Sequence, residues 1–125
     1  MSLEIQKEES YAIMRVAPEG LKLDSMLAPQ MKSELVILSH EEFKNIIVDL
    51  SDVRYCDSSG LSAILVGNRL CRESDGTFVL CGLQAMVQKL ITISQLDSIL
   101  NIVPTLDEAR QYVLMEEVGR DVEGS

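Results

Sequence analysis

Tryptophan is absent from this chain, histidine occurs once, phenylalanine twice and cysteine three times. The lone histidine, His40, removes most histidine-based chemistry. A Ser-His-Asp set would have to recruit it from the expected end of a helix, where a solvated cap role suits it better. His40-Glu41-Glu42 resembles the start of a metalloprotease helix only superficially, because no second histidine follows. Cys56, Cys71 and Cys81 are an odd number at long spacings, which fits neither a disulfide framework nor a zinc pattern. They read as small buried hydrophobes, and a reducing cytoplasm is the expected setting. Basic residues are also scarce. Eleven Lys and Arg stand against twenty Asp and Glu, for a net charge of −9. A phosphate backbone needs a basic surface, and the densest basic stretch, Arg69 to Arg72, is followed at once by acidic residues. Direct nucleic-acid contact is therefore not expected. No apolar run approaches the roughly 20 residues of a spanning helix, so no membrane insertion is expected. The opening MSLEIQKEES lacks the basic and apolar regions of a secretory leader. Gly-x-x-x-x-Gly-Lys-Ser/Thr, Gly-x-Gly-x-x-Gly and Gly-x-Ser-x-Gly are all missing, the acidic residues are scattered, and no cofactor is expected.

What remains is a chain of 125 residues, 46% apolar but only 4% aromatic, so aliphatic side chains must build the core of one domain. That domain is expected over residues 3–118, with 119–125 as a flexible tail. Leu3, Ile5 and Lys7, then Tyr11 to Ala17, read as one or two strands, a hairpin being one arrangement, broken by Pro18 and Gly20. A short strand is expected at Leu21 to Asp24. Leu27, Ala28, Met31, Leu35, Ile37 and Leu38 mark a helix with Pro29 in its first turn. Asn45 to Leu50 reads as a strand buried on both faces, typical of a parallel sheet. Ser51 to Cys56 reads as a connection, and Leu61, Ile64, Leu65, Asn68 and Leu70 as a second helix. After the Asp75-Gly76 turn come a strand at Thr77 to Cys81 and a helix carrying Leu83, Met86, Val87, Leu90 and Ile91. A short strand around Ile99 to Ile102 and a final helix started by a Thr105/Glu108 capping box complete the order. The later strand–helix alternation requires a mixed, largely parallel α/β sheet with right-handed crossovers. Met31 and Met86 are expected in the core, whereas Met26 falls in a loop where it can serve a contact surface.

One segment is poorly explained by packing. Asp57-Ser58-Ser59-Gly60 lies between a strand and a helix. Asp and Ser both cap helices well and Gly relieves crowding, so a simple cap is one reading. The other makes a serine hydroxyl at a helix start an acceptor of a phosphoryl group, stabilised by unpaired N–H groups and the positive helix end. Both readings use the same geometry.

These residues carry a resemblance. Asn45-Ile-Ile-Val-Asp-Leu-Ser-Asp-Val-Arg-Tyr-Cys-Asp-Ser-Ser-Gly-Leu61 resembles the signature of the STAS domain, in particular of bacterial anti-sigma factor antagonists. The likeness continues through Gly76 to Leu83, Leu96-Asp97 and Thr105 to Ala109, and upstream through Leu23-Asp24 and Ala28-Pro29. Two departures stand out: the segment from Arg15 to Lys22 interrupts the family's usual approach to Leu-Asp, and Tyr55-Cys56 replaces a more aliphatic pair. The resemblance implies a mixed sheet of four or five strands with helices mainly on one face. It implies phosphorylation at Ser58, with Asp24, Asp57, Ser59 and Gly60 around it as the partner-binding corner. The implied partners are a serine kinase that doubles as an anti-sigma factor, captured by the unphosphorylated form, and a metal-dependent serine phosphatase. The alternative within the same family is a scaffold module of a stressosome-like or lipid-transport assembly.

Overall fold

The computed structural model describes residues 3–16 and 22–124. Ala17, Pro18, Gly20 and Leu21, expected at the hairpin's end and the next strand's start, lie outside them. Strand β1 (Leu3–Lys7) pairs antiparallel with β2 (Ala12–Val16), so of the N-terminal alternatives the chain adopts the two-stranded hairpin. The chain then runs through β3 (Lys22–Leu23), α1 (Ala28–His40), β4 (Ile46–Asp49), β5 (Tyr55–Cys56), α2 (Ser58–Glu73), β6 (Phe78–Cys81), α3 (Ala85–Ile93), a 3-10 turn (Leu96–Ser98), β7 (Asn101–Val103) and α4 (Leu106–Gly124). The main sheet has the order β1-β2-β4-β6-β7, and every pairing after the hairpin is parallel.

Register explains how the sheet is covered. Met14, Val48 and Leu80 stand side by side across the three central strands, as do their neighbours Ile13, Ile47 and Val79. Successive strand residues point to opposite faces. The first row, with Ile46 and Phe78, packs in one core with Met31 and Leu35 of α1, Ile64 of α2, and Val87 and Ile91 of α3. The second row, with Cys81, packs against Ala109 and Val113 of α4. Three helices thus share one face, and α4 covers the other. Apart from Asp49 at the end of β4, both faces of β4 and β6 are apolar because neither meets water: every residue of the two strands is buried.

Several expectations need correction. Ile37 and Met86 are not core residues; they are 47% and 61% exposed. Each sits beside the residue that does face inward, Leu38 and Val87, and adjacent helical side chains point about 100° apart. The stretch from Ser51 to Cys56 is not only a connection, because Tyr55–Cys56 forms the parallel two-stranded ladder of β3 and β5. The strand expected around Ile99 begins instead at Asn101, after the 3-10 turn. The final helix, α4, runs on past residue 118. It continues through Gly124, and Arg120 donates hydrogen bonds to Thr77 Oγ1 (2.8 Å) and Asn45 Oδ1 (3.0 Å) and pairs with Glu117. Asn45 Oδ1 also accepts the Thr77 amide (2.9 Å), so this polar cluster ties α4 to the leading ends of β4 and β6. Pro29 falls in the first turn of α1, where its missing N–H costs nothing.

Candidate functional site

The two-stranded ladder builds the corner. Leu23 is the register partner of Cys56, so the next residues, Asp24 and Asp57, leave the carboxyl ends of two parallel strands side by side. Each carboxylate then organises the start of a helix. Asp57 is the N-cap of α2, in extended conformation, and its Oδ1 accepts the Gly60 amide at 3.1 Å. Asp24 Oδ1 accepts the Met26 amide at 3.0 Å, while its carbonyl accepts from Leu27 and Ala28 at the entry to α1. Short polar side chains do this well because they can bond the backbone two or three residues ahead.

Gly60 holds the ladder and the helix together. A Cβ at this position would lie 2.2 Å from the Leu23 carbonyl and 2.7 Å from Cys56 Sγ, so only glycine lets α2 start this close to β3 and β5. The result is that Ser58, the first residue of α2, is exposed, Ser59 is half-buried and Gly60 is buried. Ser58 stands where backbone N–H groups have no partner inside the helix and where the dipole is positive.

Ser58 and Ser59 line an open cleft of about 360 Å³ together with Ser62 of α2 and Ser25, Ala28, Pro29 and Lys32 from α1 and its approach. The cleft therefore lies between the starts of two helices. Asp24, Asp57, Ser58, Ser59 and Gly60 are all brought to this corner. Ser25, Lys32 and Ser62 were missed from the sequence. Ser62 was findable, since it lies one turn beyond Ser58 and Ser59, and Ser25 follows Asp24 directly; Lys32 reads as any surface lysine until α1 is docked against α2. Met26, beside the cleft, is 87% exposed.

The neighbouring thiol is inert in character. Burial, reinforced by the Asp57 charge, pushes the Cys56 thiol up to about 11, and burial pushes Cys71 and Cys81 up to about 12. All three cysteines are free and buried. His40 is exposed at the last turn of α1, as expected. Among the described residues, no group of three or more His, Cys, Asp or Glu could hold a metal ion, and no helix is long and apolar enough to cross a membrane.

Comparison with known proteins places this architecture. The model of the STAS domain matches residues 3–109. The anti-sigma-B factor antagonist of Listeria monocytogenes is 30% identical over 103 residues, covering 82% of this chain and 88% of the relative. The structure of an anti-sigma-factor antagonist (STAS) domain protein from Planctomyces limnophilus superposes with a TM-score of 0.80 at 17% identity, covering 92% of this chain and 97% of that one. The Bacillus cell fate determinant SpoIIAA in its phosphorylated form gives a TM-score of 0.69 at 18% identity, covering 89% and 98%. The chain belongs to the STAS domain family, among its anti-sigma factor antagonists.

Proposed function

We propose that this protein is a phosphorylation-switched antagonist whose switch is Ser58. The carrying observation is the placement of one exposed hydroxyl at the first position of α2, next to a capping carboxylate and on a cleft shared with α1. Like other members of its family it is a regulatory module and not an enzyme, so what matters is which surface it presents. Unmodified, the corner of Asp24, Asp57, Ser58, Ser59 and Gly60 binds a serine kinase that also acts as an anti-sigma factor, and the sigma factor goes free. The kinase transfers a phosphoryl group to the Ser58 oxygen, and a metal-dependent serine phosphatase removes it.

The physical chemistry of the corner supports this cycle. A phosphoryl group adds about −1.5 to −2 charge and three acceptor oxygens. The free N–H groups of α2 stabilise that charge, so the fold tolerates it. A partner surface shaped for a neutral hydroxyl flanked by two carboxylates does not. Each 1.4 kcal/mol of repulsion or desolvation lowers affinity tenfold, so a few kcal/mol is enough to end the capture. The chain's net charge changes only from −9 to roughly −11, so the effect is local.

The test is incubation of the purified chain with its kinase and ATP, followed by intact-mass measurement and peptide mapping. One phosphoryl group on Ser58 is expected. Ser58→Ala should stay folded and bind the kinase whether or not ATP is present, while Ser58→Asp and Ser58→Glu should bind weakly. An unmodified Ser58, or equal binding by the Ala and Glu variants, overturns the reading. Recovery of a large multisubunit assembly in place of a small kinase would favour the scaffold role instead.

A further inference from the structure

We propose that Lys32 of α1 is the receiving cation for the phosphoryl group on Ser58, so that modification closes an ion pair across the cleft between α1 and α2. The inference deepens the reading of Ser58 as the acceptor and rests on it. The cleft has four hydroxyls, from Ser25, Ser58, Ser59 and Ser62, and one charged side chain, Lys32. The charged and titratable groups of the elements that meet there are Lys22 on β3 with Asp24 just after it, Tyr55 and Cys56 on β5 with Arg54 and Asp57 flanking it, Lys32, Glu34 and His40 on α1, and Arg69, Cys71, Arg72 and Glu73 on α2. Of these, Lys32 alone lines the cleft with Ser58.

The charge balance gives this placement its meaning. A dianion on Ser58 arrives beside the Asp57 carboxylate and close to that of Asp24, which repel it. The start of α2 offsets part of the repulsion through its dipole and free amides. An ammonium on the facing helix offsets more, because it is a compact mobile charge with three donors and a flexible stem that reaches across a gap. Lys32 is half-buried, so the pair is less screened by salt than one in open solvent. The serine hydroxyls supply further donors to phosphate oxygens on the same walls. Phosphorylation thus converts a cleft with an ammonium on one wall and a hydroxyl on the other into a bridged pair.

The experiment uses the full chain with phosphoserine incorporated at position 58 during synthesis, which makes it independent of any kinase. The phosphorus NMR signal is followed against pH in the otherwise native chain and in Lys32→Gln, Lys32→Arg and Lys89→Gln. Lys89 lies exposed on α3 and controls for net charge. The second ionisation of the phosphoserine is expected several tenths of a pH unit lower in the otherwise native chain and in Lys32→Arg than in Lys32→Gln, and unmoved by Lys89→Gln. The amide spectrum should show all variants folded. An identical titration with and without Lys32, or an equal shift from Lys89→Gln, overturns the proposal. Failure of a kinase to modify Ser58 would sink the switch and leave this titration standing; a modified Ser58 whose titration ignores Lys32 would sink this inference alone.

Discussion

The α-carbon of Gly60 sits so close to the carbonyl of Leu23 that a Cβ there would lie 2.2 Å from the oxygen. This contact connects the first turn of α2 to the strand that precedes α1, and it fixes how far apart the two helix starts can be. Gly60→Ala must push α2 off β3 and should destabilise the protein by about 1–3 kcal/mol, the usual cost of overpacking against backbone. Gly119 in α4 is the matched control: a Cβ there meets nothing within 4 Å. Gly119→Ala should stabilise by about 0.5–1 kcal/mol through helix propensity. Urea denaturation of the two variants should move the midpoint in opposite directions.

Asp57 has a structural task separate from any switch, since its Oδ1 accepts the Gly60 amide. Asp57→Ala should cost about 1 kcal/mol, the typical worth of a cap. Asn is an equally good cap, so Asp57→Asn should keep nearly native stability. Chemical denaturation separates the two, and kinase binding by the Asn variant then reports on the charge alone.

The residues of this corner were legible in the sequence because they are contiguous: Asp57-Ser58-Ser59-Gly60 is a helix start on any reading. Asp24 could be tied to the corner by its charge and by family likeness, but nothing local shows that it will lie beside Asp57. The device that joins them, β3 against β5, has two residues on each side, too few for any alternation to show. Lys32 was illegible for a different reason. Its place in the cleft depends on how α1 packs on α2, which propensity does not encode. Arg120 was invisible likewise, because its partners Asn45 and Thr77 lie 75 and 43 residues away. What the aliphatic pattern did show well were β4, β6 and the cores of α1 and α2, where burial on a defined face leaves a period. It did not show that α4 closes the opposite face of the sheet, since a helical stripe does not say which side it covers.

The three thiols should be unreactive in the folded protein. Cys56 is pushed up to about 11 and Cys71 and Cys81 to about 12, so the thiolate fraction near pH 8 is far below that of a free cysteine. A disulfide reagent at about pH 8 should label none within minutes and all three after unfolding. Rapid labelling of Cys56 in the native state would show that the ladder beneath the corner opens.

Met26 stands out beside the cleft, with 87% of its surface exposed and its amide held by Asp24. Nothing in the fold uses its side chain. If the corner is the partner-binding surface, Met26→Asp should weaken capture of the kinase by tenfold or more while leaving stability within about 0.5 kcal/mol. Calorimetric titration beside a denaturation curve distinguishes this from a general loss of structure, and unchanged affinity would move the interface away from this side of the cleft.

The polar cluster at the other end of the molecule predicts a specific acid response. Burial tends to raise the Glu117 carboxyl, but hydrogen bonds from Arg120 and Asn45 and the charges of Arg120 and Lys44 outweigh it and hold the group below its usual value. The folded state therefore binds this proton less readily than the unfolded chain. Stability from Glu117 is fully present above the unfolded value of about 4.3 and is lost as pH falls through the lower folded value. Glu117→Gln cannot lose it, because it never ionises. The native chain should be the more stable of the two near neutral pH, and the gap should close as the pH is lowered through and below about 4. Urea midpoints for both proteins, taken in steps from about pH 7 to about pH 3, measure this directly. A gap that stays constant with pH would mean that Glu117 serves only as a hydrogen-bond acceptor. Arg120→Met should narrow the gap at neutral pH as well, because it removes the main partner that anchors the end of α4 to Asn45 and Thr77.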